Sequence, residues 1–140
     1  MNFELAEEHR MLKELFARFV REQLIPLEPA VLAREAEGGQ RTLLPEEHAR
    51  LDAMSRELGL WGLDAPTGMG GADLPTVAMV GVHEELGKTI TPYELPPDSP
   101  NLRMLMLTAS EAQRERYLAP YARGETAAST RAMKHARRYR

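Results

Sequence analysis

Few residues in this 140-residue chain have the types and spacing that chemistry requires. There is no cysteine, which removes thiolate metal sites, thiol nucleophiles and a disulfide scaffold. His9, His48, His83 and His135 are scattered. His83-Glu84-Glu85 offers a ligand or a base, but no second histidine lies three or four residues away, and a helix-surface histidine is expected instead. No GxSxG, HExxH or Walker glycine loop occurs. Gly68-Met69-Gly70-Gly71 can bring bare amides to a phosphate. No strand precedes it, however, so a plain turn is expected. Glu84-Glu85 stands where a helix should end, against the dipole. A solvated pair is expected, with Lys88 or Arg103 as the partners that would otherwise offset it. Met104, Leu105, Met106 and Leu107 either line an adaptable apolar tunnel or pack a core. The residues alone predict no catalytic position and no metal site.

The elements that hold these residues read as helices. Leu5, Leu12, Phe16, Phe19 and Gln23 follow helical spacing, with Leu15, Val20 and Leu24 widening the stripe, which predicts a helix over 5–25. Pro26 and Pro29 break it, because each removes an amide donor. A short helix over 29–37 restarts at Pro29 and stops at Gly38-Gly39. Pro45 opens a third helix to Leu58, with Gly59 as its stop. Residues 59–73 hold five glycines and one proline and form a loop. Asp73 is the expected N-cap of a fourth helix over 74–86. A proline-rich connection over 88–98 leads to a fifth helix, 100–109, capped by Ser99-Pro100. Ser110-Glu111-Ala112-Gln113 is a capping box that starts a sixth, 111–122. No strand is convincing. The class is all-α, a bundle of five to six helices.

Composition agrees. Apolar residues make up 43% and charged residues 28%, a globular balance that excludes wholesale disorder. No apolar run approaches the ~20 residues of a membrane span, and no signal peptide is evident at the N-terminus. A cytoplasmic protein is expected. The net charge of −3 is uneven. After Glu125 come five bases and no acid, leaving 13 bases against 21 acids in the body. An acidic body repels nucleic acid, and none is expected as a partner. The tail is read as a solvated end. The fourth and fifth helices are apolar nearly all round. Val77, Met79, Val80, Val82, Leu102, Met104, Leu105, Met106 and Leu107 cannot all face one small core, so some must meet a ligand, another domain or another chain.

Three blocks then point to a family: "FELAEEHRMLKELFARFVREQLIP", "LGLWGLDAPTGMGGADLPTVAMVGVHEELGKT" and "ASEAQRERYLAPYARGE". Their order and spacing resemble the N-terminal helical domain of acyl-CoA dehydrogenases over about residues 2–125. One departure is Met69 before Gly70-Gly71, where the family commonly has tyrosine. The other is the tail. After "YARGE" the family continues into a strand and a Thr-Glu-Pro segment that opens its flavin-binding β-domain; this chain reads "TAASTRAMKHARRYR".

The resemblance implies a parent reaction, the flavin-dependent α,β-dehydrogenation of an acyl-CoA thioester. A glutamate of the family's last domain removes the α-proton while hydride leaves the β-carbon. No residue here matches it, so the expectation is a truncated or fragmentary relative, inactive alone and without cofactor, FAD belonging to the full-length family. The resemblance also implies an acyl-tail wall formed by Tyr93, Glu94, Pro97 and Asn101, with an acyl-CoA-like ligand. The alternative is a free-standing helical module that self-associates as a homo-oligomer or binds a partner subunit through its apolar helices. Residues 1–125 form the family-like domain and 126–140 a basic tail unlike it.

Overall fold

A computed structural model describes residues 6–97 and 99–125, without the side chains of Ser99, Pro100, Asn101 and Arg103. Leu5 and the basic tail, with its His135, lie outside the described residues. Helices α1 (Glu7–Phe19), α2 (Glu28–Ala36), α3 (Pro45–Glu57), α4 (Thr76–Leu86) and α5 (Ser99–Thr108) are followed by α6 (Glu111–Gln113) and α7 (Ala119–Ala122). Among the described residues there is no strand, and the class is all-α as expected. The last predicted helix is a single run in which a π-helical turn, Arg114–Leu118, joins α6 to α7. Its capping box is present: the Gln113 N–H donates to Ser110 Oγ, and the Ser110 N–H to Gln113 Oε1.

The first predicted helix is shorter than its apolar stripe. It passes into a π-helical turn over Val20–Leu24 and a 3₁₀ turn over Ile25–Leu27 before α2 begins. The prolines cause this. Pro26 and Pro29 supply no N–H, so the helical ladder around them must be rearranged. The Ile25 N–H reaches Val20 O, and the Glu28 N–H closes on Ile25 O. In an unbroken α-helix the Glu28 amide would serve Leu24 O; here it serves Ile25 O instead.

The residues group into two compact units. One holds the chain up to Leu60 together with Leu74–Glu94. Here α1 packs on α4, and Phe16, Phe19, Val20, Leu24, Val31, Leu51, Leu60 and Val82 are buried. The Glu84-Glu85 pair is not merely solvated. Glu85 is buried, with its carboxylate 2.6 Å from Lys88 Nζ and 3.8 Å from Lys13 Nζ, while Lys13 also donates to Glu84. The solvated pair expected from the sequence is therefore corrected: Lys88, one of the two partners considered, is engaged, and so is Lys13 on a different helix, which was not considered.

The other unit holds Trp61–Asp73 and the chain from Leu95. Its core is Ala65, Leu102, Leu118 and Ala122, with Met69, Met106, Ala109 and Tyr121 packed against it. Trp61 Nε1 donates to Ala122 O at 2.9 Å, satisfying a carbonyl at the end of α7. Asp73 does not cap α4. It has a positive φ of 47°, and α4 starts three residues later with Pro75 as N-cap. The Asp73 N–H is held by Ala65 O within the loop, which keeps this residue out of the helix.

Candidate functional site

The glycine loop is built inward. The amides of Met69 and Gly71 donate to Pro66 O, Gly70 to Thr67 O, Ala72 to Gly62 O and Asp73 to Ala65 O. A phosphate cradle needs amides free to point at the anion, and these five are already engaged. The turn reading therefore holds, and the loop does not fit a flavin pyrophosphate. Gly71 serves close packing instead: a Cβ there would lie 2.1 Å from Ala65 O. Among the described residues, no cluster of three or more histidine, aspartate or glutamate side chains is placed to hold a metal.

Tyr93, Glu94, Pro97 and Asn101 do not fall in one unit. Tyr93 and Glu94 close the first. Tyr93 is buried at 4% exposure, its ring 5.6 Å from Phe19 and 6.0 Å from His48. Glu94 is exposed. Pro97 is buried in the second unit, 3.8 Å from where a Cβ on Gly62 would sit. Asn101 belongs to the α5 backbone; its side chain lies outside the described residues.

The connection that carries Tyr93 and Glu94 is held by side chains that sequence reasoning missed. Glu28 Oε1 accepts from Thr89 Oγ1 at 2.7 Å and from the Ile90 N–H at 3.1 Å. Thr89 Oγ1 in turn accepts from the Thr91 N–H. Thr91 is buried, and its hydroxyl donates to Leu24 O at 2.8 Å. This is the carbonyl that the Glu28 N–H would serve in an unbroken α-helix. His48 also packs near the Tyr93 ring and lies 3.3 Å from Asp52, one turn along α3. The Pro26/Pro29 break marks this end of the helix in the sequence but points to no partner for it.

The apolar helices divide as their composition suggested. On α4, Met79 and Val82 are buried while Val77 and Val80 are about half exposed. On α5, Leu102 is buried and Met106 packs on the core, whereas Met104, Leu105 and Leu107 face outward, Leu107 at 86% exposure.

Comparison with known proteins places this arrangement. Residues 6–125 match the family model described as "Acyl-CoA dehydrogenase, N-terminal domain". The chain belongs to the acyl-CoA dehydrogenase family, and what it contains of that family is the N-terminal helical domain, not the flavin-binding one. It is 42% identical over 133 residues to the (R)-benzylsuccinyl-CoA dehydrogenase of Thauera aromatica, a match that covers 89% of this chain and 33% of that relative. The chain thus spans about a third of the relative's length. No solved structure matches it. No helix among the described residues is long and apolar enough to cross a membrane.

Proposed function

We propose that this chain supplies the N-terminal helical part of a flavin-dependent acyl-CoA dehydrogenase, and that its 88–94 segment helps wall the acyl group. The supporting observation is the 42% identity to a dehydrogenase of benzylsuccinyl-CoA across nearly all of this chain. The substrate class is then an acyl-CoA thioester whose acyl part carries an aryl substituent. Tyr93 and Glu94, in the first unit, are the proposed wall residues. FAD binding and proton abstraction belong to the parts of the enzyme beyond this domain.

A chimera tests this reading. The matched third of the Thauera aromatica relative is replaced by this chain, and the purified protein is assayed with benzylsuccinyl-CoA and an artificial electron acceptor. The expected result is a yellow protein that turns the thioester over. The 140-residue chain alone is expected to be colourless and inactive, because a general base must reach the α-proton and the flavin needs its own domain. A folded, yellow chimera without turnover overturns the reading.

A second reading rests on the outward Val77, Val80, Met104, Leu105 and Leu107. These faces suit association with another copy or with the rest of the enzyme.

A further inference from the structure

Connections between helices are usually mobile and loosely held. The one after α4 is not. Four successive hydrogen-bonding groups, from the Thr89 hydroxyl to the Thr91 hydroxyl, are engaged on Glu28, on Leu24 or on one another. One acceptor is a carboxylate, which makes stronger hydrogen bonds than a neutral oxygen. Another is the Leu24 backbone carbonyl, at the proline-broken end of the first helix. The next turn of chain is fixed as well: the Tyr93 N–H donates to Thr91 O at 2.8 Å, and the Tyr93 ring packs against Phe19. The anchor therefore sets where Tyr93 and Glu94 stand.

We infer that Glu28 and Thr91 are positioning residues: by pinning residues 89–91 to the broken end of the first helix, they fix the wall at Tyr93 and Glu94 and so set selectivity for acyl bulk. This inference rests on the acyl-wall reading proposed above. A clip that served stability alone would, when cut, affect all substrates alike. A positioning clip changes the ratio between a bulky and a small acyl group, because a displacement of about 1 Å costs up to ~10²-fold when geometry matters.

The test uses the same chimera with benzylsuccinyl-CoA and with methylsuccinyl-CoA, in which a methyl replaces the benzyl group. kcat and KM are measured for both. Thr91→Val keeps the shape and removes the donor; Glu28→Ala removes the acceptor at a half-buried position that tolerates truncation more readily. Each is expected to change the ratio of the two kcat/KM values by about tenfold, chiefly through KM for the benzyl substrate. Thr91→Ser and Glu28→Gln, which keep the hydroxyl and one carbonyl oxygen, should restore it. An active chimera whose ratio is unmoved by Glu28→Ala overturns the inference and leaves the acyl-CoA reading standing. A folded chimera that turns over neither thioester overturns both.

Discussion

Glu47 shows how one side chain can tie two helices. Its carboxylate takes both Arg34 guanidinium nitrogens, at 3.1 and 2.9 Å, and accepts the Leu44 N–H at the start of α3 at 2.8 Å. Burial opposes its ionisation, but the Leu44 amide and the Arg34 guanidinium outweigh it and hold the pKa below its ordinary 4.5. A carboxylate depressed in the folded state stabilises above its unfolded pKa and loses that contribution as pH falls through the folded one. Stability should therefore decline as pH drops from about 4.5 downward, and Glu47→Gln should flatten that decline. At neutral pH the substitution should cost about 1.5–3 kcal/mol, the range for a hydrogen bond to a charged group. Urea denaturation followed by circular dichroism at several pH values checks both. Identical acid slopes for the two proteins would show that other carboxylates dominate. In the loop, Gly71→Ala forces a Cβ against the Ala65 backbone and should lower stability by about 1–3 kcal/mol. Gly68→Ala, with nothing within 4 Å, should stay within about 0.5 kcal/mol. Thermal unfolding followed by Trp61 fluorescence separates them, and equal melting temperatures would argue against the close contact.

The helices were legible wherever local chemistry decides them. Pro45 and Gly59 bracket α3, and Ser110 with Gln113 starts the last run, because caps and breakers act on their immediate neighbours. The end of the first helix was legible only in part. Pro26 announces a break, but not the π-helical and 3₁₀ turns around it, nor that Leu24 O accepts from Thr91, 67 residues away. Asp73 misled for a related reason. An aspartate before an apolar helix is a good N-cap by type, yet the loop's own hydrogen bond to Ala65 takes its amide and sets its backbone away from helical geometry. For the candidate site, composition marked the proline-rich connection and the family resemblance marked Tyr93 and Glu94. The Glu28–Thr89–Thr91 chain was invisible, since its members lie on separate elements and no periodicity links them.

The acidic, all-helical domain leaves apolar side chains outward that a self-sufficient domain would bury. Val77 and Val80 stand one turn apart on α4, and Met104, Leu105 and Leu107 crowd one stretch of α5. Single exposed apolar residues need no explanation, but grouped ones do. The 140-residue chain is therefore expected to self-associate. A standard interface hides roughly 800 Å² per partner, and apolar burial contributes about 25 cal/mol per Å² before orientational and ordering costs offset much of it. Modest affinity and a two-fold dimer are the expected outcome. Light scattering across a concentration series should show mass rising above 15.7 kDa. Leu105→Glu discriminates further. Leu105 is 40% exposed, so a carboxylate there can reach water without unfolding the helix, and the variant should be a folded monomer with unchanged circular dichroism. A wild-type mass that stays at 15.7 kDa at every concentration would remove the case for self-association and leave these faces to the remainder of an acyl-CoA dehydrogenase.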